Sequence, residues 1–146
     1  IAALVGKRQI MEGLTKEVFL SSTYFPNSDA QIAALKTIEI LKRDKVLEVV
    51  AANGHKFAAE VEKVVAGSGI PARFSGAPWM PFITFPKDDT GLYKKLRVEF
   101  YTQLIRRGVF LQPYHHGYIC YRHTDEDLAF TVGAIKESLA ELNKLA

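Results

Sequence analysis

The chain has 146 residues, 48% hydrophobic and 24% charged, with a net charge of +3 at pH 7. That is enough for one domain with a real core, or a domain plus an appendage, in an ordinary globular composition. The basic pairs Lys42-Arg43, Lys94-Lys95 and Arg106-Arg107 are too scattered for a nucleic-acid surface, and no apolar run reaches membrane-spanning length. The lone Cys120 excludes an internal disulfide and points to a reducing compartment, with the cytoplasm as the expected location.

Ile1-Ala2-Ala3-Leu4-Val5-Gly6 is an apolar run with the pattern of a fully buried strand. A chain opening inside such a strand, without Met, is expected to be a cut piece of a longer one. Residues 7–14 read as a short helix with Ile10, Met11 and Leu14 on one side. A polar turn over residues 21–28 then opens a long helix from Asp29 to Asp44, with Ser28 and Gln31 placed as a capping box. Unpaired amides at such a start suit an anion, phosphate in particular, although plain capping gives the same pattern. Ala30, Ala33, Ala34, Thr37, Ile38 and Leu41 make one face of this helix, and Ile32 and Leu35 add a second apolar side. Burial on both sides, between packed layers, is the expectation.

Asp44-Lys45 interrupts the helical pattern, and a second helix follows with Val46, Val50, Phe57, Val61, Val64 and Val65 as its stripe. Gly67-Ser68-Gly69-Ile70-Pro71 stops it. The period then becomes extended: strands are predicted over 72–75 and 79–85, the second pushed toward a sheet edge or bulge by Pro81. Thr90 or Asp89 is the expected cap of a third helix carrying Leu92, Leu96, Phe100, Leu104 and Ile105, which ends at Arg106-Arg107-Gly108. Two further strands are predicted over 109–111 and 118–121. Thr124, with Asp127 in the capping-box position, opens a last helix with Leu128, Val132, Ile135, Leu139 and Leu142 as its stripe. The fold class is α+β, a small mixed or antiparallel sheet covered by helices.

Four landmarks in this order resemble the C-terminal portion of class III pyridoxal-phosphate-dependent aminotransferases, most closely the glutamate-1-semialdehyde 2,1-aminomutase-like branch. They are Ile1 through Met11, then Ser22-Thr23-Tyr24-Phe25-Pro26-Asn27, then Arg107-Gly108-Val109-Phe110-Leu111, and His123-Thr124-Asp125-Glu126-Asp127. The resemblance implies the C-terminal domain of a fold-type I transferase. Residues 1–43 would be the tail of the large cofactor-binding domain with a connecting helix, and 44–146 the small domain.

The resemblance places Thr23, with Ser22 beside it, on the phosphate of pyridoxal 5′-phosphate bound by the partner subunit of a homodimer. Thr23 and Asn27 match a family turn in which Pro26 stands for the usual Gly and Ser28 for the usual Pro. The family's Schiff-base lysine precedes the strand that corresponds to 1–6, so it would lie upstream of Ile1, and Lys7 falls on the wrong side of it. The chain alone is therefore expected to lack catalytic residues, to hold no cofactor stoichiometrically and to be inactive. The intact parent would move an amino group on an amino-acid or amino-aldehyde substrate.

Tyr114, His115, His116, Tyr118, Tyr121, Arg122 and His123 crowd the segment after the third helix. The histidines lack a carboxylate or cysteine at a metal-ligand offset, so no metal is expected. The resemblance puts this region at the mouth of the active site, with Tyr114, His115, His116 and Arg122 as candidate substrate residues. Arg122 enters because a guanidinium takes a carboxylate bidentately; packing or a solvated loop is the plainer reading of the two histidines. Trp79 and Met80 are expected in the core or an interface, and Cys120 is expected buried and inert. The competing reading is a freestanding α+β module that binds a ligand or a protein.

Overall fold

The computed structural model describes residues 2–16, 18–19, 21, 23 and 27–145. The chain divides into two compact units, residues 1–45 and 46–146.

The first unit contains α1 (Arg8–Met11), a 3-10 turn (Glu12–Thr15) and α2 (Ser28–Arg43). Residues 2–6 form no strand and are exposed. The reason is physical: an apolar run becomes a strand only where neighbouring strands take its hydrogen bonds and cover its faces. The cap of α2 is Asn27 rather than Ser28, for its side chain accepts from the Ala30 amide at 3.1 Å and draws Ser28 into the first turn. Helix formers and the Lys36–Glu39 pair at 2.8 Å sustain α2. None of its residues is buried, and Ile32, Leu35 and Ile38 are exposed, against the expectation of burial on two sides. The unit's other described elements, α1 and the 3-10 turn, are too short to cover them.

In the second unit, α3 (Val46–Gly67), β1 (Arg73–Ser75), β2 (Phe82–Thr84), α4 (Leu92–Arg106) and α5 (Asp125–Leu142) enclose one core. β1 and β2 pair antiparallel, with Phe74 opposite Ile83. Val61, Leu96, Phe100, Leu104, Ile135, Leu139 and Leu142 are essentially inaccessible. Burying each such side chain is worth about 1.5–3 kcal/mol. The stripes of α3 and α5 supply most of the residues expected of them, whereas Ile105 of α4 is half exposed.

Two placements fix the helices on the ribbon. The buried Tyr101 hydroxyl donates to the Ile83 carbonyl at 2.9 Å, tying α4 to β2. At Gly54 the α3 backbone lies so close to residues 78–79 that a Cβ would stand 2.8 Å from the Trp79 nitrogen.

The cap position of α4 is Gly91 rather than Thr90 or Asp89, although the Thr90 hydroxyl also accepts from the Leu92 amide at 3.2 Å. The Asp88 carboxylate accepts from the amides of Thr90, Leu92 and Tyr93 at 2.9, 3.1 and 2.7 Å and from the Thr90 hydroxyl at 2.6 Å. That bond from the Thr90 hydroxyl, with the amides behind it, holds the Asp88 carboxyl down to about 2. At the other end Gly108 adopts a left-handed φ of 83° after Arg107, as the Arg-Arg-Gly pattern requires. The capping box of α5 is present, Thr124 accepting from the Asp127 amide and Asp127 from the Thr124 amide.

The strands expected over 109–111 and 118–121 are not strands. Residues 117–119 run beside 79–81, with the Gly117 amide donating to the Pro81 carbonyl at 2.8 Å and the Ile119 amide to the Trp79 carbonyl at 2.9 Å. The reciprocal bond from residue 81 has no donor, because proline has no N–H, and the ladder stops at one-way bonds. Cys120 is exposed rather than buried. Its neighbour Ile119 takes the inward position, and alternation along an extended segment turns residue 120 outward. Trp79, expected in the core or an interface, is 39% exposed with its ring edge-on to His55 at 6.1 Å.

Candidate functional site

A cleft of about 670 Å³ opens in the second unit between the segment after α4, the loop of residues 115–119, and the start of α5. Phe110 and Leu111, Phe130 and Thr131 of α5, and Phe57 of α3 are among the residues that line it. The two backbone bonds from Gly117 and Ile119 pin the histidine loop against residues 79–81.

The loop's side chains form a short connected chain. The His115 and His116 rings stack at 4.4 Å and 26°, and the His116 ring meets Tyr118 edge-on at 4.9 Å. His115 Nδ1 donates to the His116 carbonyl at 2.8 Å, which leaves its Nε2 as an acceptor. His116 Nε2 and the Tyr118 hydroxyl share a bond of 2.8 Å. His123 also lines the cleft, and its Nδ1 accepts from the Cys120 amide at 3.2 Å, so the proton of the neutral ring sits on Nε2. Asp127 stands beside it with its carboxyl held down, first by the Thr124 amide and then by the Thr124 hydroxyl. Apolar walls with a few fixed polar groups are what a small-molecule site requires.

The candidate residues do not all gather there. His115 and His116 line the cleft, while Tyr114 and Arg122 are exposed and outside its lining. Tyr114 instead lies over Arg97 of α4, with the guanidinium carbon 5.2 Å from its ring centroid. The same guanidinium carbon is 5.7 Å from the Tyr93 ring. Arg97 Nε is buried without a hydrogen-bond partner, and among the described residues no carboxylate pairs with Arg97. Sequence reasoning passed over Arg97 because, next to Lys94-Lys95, it reads as part of a solvated helix face; the Tyr93-x-x-x-Arg97 spacing was its only signal. Thr23 is exposed in a turn before α2, and Ser22 lies outside the described residues. Among the described residues no group of three His, Cys, Asp or Glu side chains is placed to hold a metal ion, and no helix is long and apolar enough to cross a membrane.

No protein-family model matches the chain. Over 99% of its length it is 72% identical to 3-aminobutyryl-CoA aminotransferase of Cloacimonas acidaminovorans (strain Evry), of which it covers 35%. The chain is a relative of the class III pyridoxal-phosphate-dependent aminotransferases. The aminotransferase relationship extends to glutamate-1-semialdehyde 2,1-aminomutase of Nitratidesulfovibrio vulgaris (strain DP4), 28% identical over 94% of this chain and 35% of that protein. The chain spans about a third of the length of the curated relatives it matches. The fold is shared with the FumI protein of Sphingopyxis sp. MTA144 in its PLP internal aldimine form, with a TM-score of 0.82 at 21% identity over 96% of this chain and 33% of that one. An omega-transaminase from Sphaerobacter thermophilus gives 0.79 at 17% identity, over 94% of this chain and 34% of that one.

The residues present fit only part of pyridoxal phosphate. An exposed threonine hydroxyl in the turn before a helix suits the phosphate. Every lysine of the chain is exposed, whereas a lysine that bonds the cofactor's aldehyde needs surroundings that keep its amine neutral.

Proposed function

We propose that the chain is the C-terminal portion of a homodimeric, cytoplasmic pyridoxal-phosphate enzyme that transfers an amino group on a 3-aminoacyl-coenzyme A thioester. The observation that carries this reading is the 72% identity, spread over 99% of the chain, to a protein named for that substrate. It narrows the amino-acid or amino-aldehyde substrate implied by the aminomutase-like landmarks. Residues 1–43 belong to the cofactor-binding body and 44–146 to the small domain.

In this reading Thr23, with Ser22, holds the cofactor phosphate, and the cofactor, when bound, supplies the carbonyl that accepts the amino group. The cleft is this chain's share of the active site. His115 Nε2 and the His116–Tyr118 pair offer an acceptor and a donor to the substrate's polar end, while Phe57, Phe110 and Leu111 keep water from its acyl chain. Arg122, exposed and next in sequence to His123 of the cleft, would meet the carboxylate of the 2-oxo acid that takes the amino group. The covalent lysine belongs to the rest of the enzyme, and the chain alone is inactive.

The test is amino transfer from 3-aminobutyryl-CoA to a 2-oxo acid, by the longer gene product and by the 146-residue chain. Turnover by the longer protein alone supports the reading; turnover of free amino acids with none of the thioester sinks the substrate assignment. One observation favours a freestanding binding module instead: residues 46–146 enclose a core of their own. A gene product of this length with no cofactor dependence would decide for that alternative.

A further inference from the structure

Arg97 and its surroundings play no part in the cleft, yet they are built as if something anionic were expected. The guanidinium carbon sits 5.7 Å from the Tyr93 ring centroid and 5.2 Å from that of Tyr114, held between two aromatic rings. Lys94 Nζ stands 5.9 Å from the same Tyr93 ring, which brings a second cation to it. The acid that approaches this turn, Asp88, is committed to the α4 cap, where its oxygens take the amides of Thr90, Leu92 and Tyr93 and the Thr90 hydroxyl. Inward of Arg97 lies the Tyr101 hydroxyl, itself spent on the Ile83 carbonyl. Among the described residues Arg97 thus has no counter-charge, while its flat fork of donors is fixed in orientation by the rings.

We propose that Arg97, clamped by Tyr93 and Tyr114 with Lys94 beside it, is the seat of a phosphate on the nucleotide end of a coenzyme A thioester. This deepens the aminotransferase reading and rests on it for the identity of the ligand. Three features select that ligand class. The guanidinium and ammonium together match a phosphate dianion better than a single carboxylate. Tyr114 is 71% exposed, so the ring face turned away from Arg97 is open to a flat heterocycle. Finally, Tyr114 directly precedes His115 of the cleft, so the seat adjoins the cleft without lining it. A ligand whose reacting carbon lies in the cleft and whose phosphates lie beyond it at the far end of a long flexible arm has that geometry.

The test is calorimetric titration of the 146-residue chain with adenosine 3′,5′-bisphosphate, with inorganic phosphate and pantetheine as the two partial probes. Saturable binding of the bisphosphate is expected, tighter than either partial probe and weakened by added salt. Arg97→Gln and Tyr114→Ala should each weaken it about tenfold, as losing one charge-assisted or stacking contact does. Arg97→Lys should fall between, and Arg106→Gln at the far end of α4 should bind as the parent does. Thermal melts of each variant separate a lost contact from a lost fold, and Arg97→Lys, which keeps the charge and the stem, reports if Arg97→Gln unfolds. No saturable binding, equal binding by Arg97→Gln, or equal affinity for inorganic phosphate and the bisphosphate overturns the proposal. Because the titration needs no amino transfer, nucleotide binding without thioester turnover by the longer enzyme would refute the aminotransferase substrate and leave the seat standing. Thioester turnover with a KM untouched by Arg97→Gln would do the reverse.

Discussion

Removing the Tyr101 hydroxyl tests how α4 is held on the ribbon, and two numbers follow from the structure. The hydroxyl is buried and donates to the Ile83 carbonyl at 2.9 Å. In Tyr101→Phe that carbonyl loses its side-chain partner inside the core, a loss of about 1–2 kcal/mol at neutral pH. For a unit of this size each kcal/mol lowers Tm by about 4–8 °C. The second number comes from ionisation. Burial pushes the Tyr101 hydroxyl from 10.0 up to about 12, with the charge of Arg97 acting the other way. The folded-state value is the higher one, so the stabilisation is complete below pH 10 and disappears as pH rises through 12. At about pH 11 the native protein should have lost about 1.4 kcal/mol through this group, and Tyr101→Phe should lose none of it. Urea unfolding followed by circular dichroism, for both proteins near pH 8 and near pH 11, measures the difference. The gap between them should narrow by about 1.4 kcal/mol at the higher pH. A constant gap would show that Tyr101 is not the buried, bonded group described here.

Gly54→Ala should destabilise the second unit by about 1–3 kcal/mol, because the added carbon meets backbone of residues 78–79 rather than a side chain that could swing aside; a neutral melt would refute that close approach. Asp88 carries a lowered carboxyl, so the stability it contributes is present above pH 4 and fades as pH falls through about 2. Asp88→Ala should therefore melt lower than the parent at pH 6, with the two converging near pH 2, and a gap that persists in acid would contradict the cap. Thr124→Ala removes one half of the α5 capping box and should cost about 1 kcal/mol in denaturant titration. In the longer enzyme, Thr23→Ala should weaken cofactor retention by about 1.5–3 kcal/mol, and unchanged cofactor affinity would remove Thr23 from the phosphate site.

The helices of the second unit were legible because their stripes and stops are redundant. Thr124 with Asp127 and the spacing from Leu128 to Leu142 mark α5 independently of each other, and Arg107-Gly108 marks the end of α4 as its periodicity does. Caps were less legible wherever several competent residues stand in a row. Asn27 and Ser28 both make good caps, as do Asp88, Asp89 and Thr90, and only the entry angle of the chain selects among them. Residues 117–119 carry a strand's pattern, but whether a strand forms depends on a partner's N–H, and that partner is Pro81. The cleft was half legible: His115 and His116 line it as a crowded polar loop would suggest. Arg97 was hidden because its ring partner Tyr114 lies outside its own helix, where no helical period reports it. The apolar positions of α2 promised burial that the elements of its own unit do not supply.

The reading proposed above puts the covalent lysine outside this chain, and reductive trapping tests that directly. The purified 146-residue protein is incubated with pyridoxal phosphate, reduced with borohydride and weighed intact. Since every lysine is exposed, the account predicts scattered, substoichiometric labelling and no amino transfer. Stoichiometric labelling of a single lysine, together with turnover of 3-aminobutyryl-CoA, would contradict it.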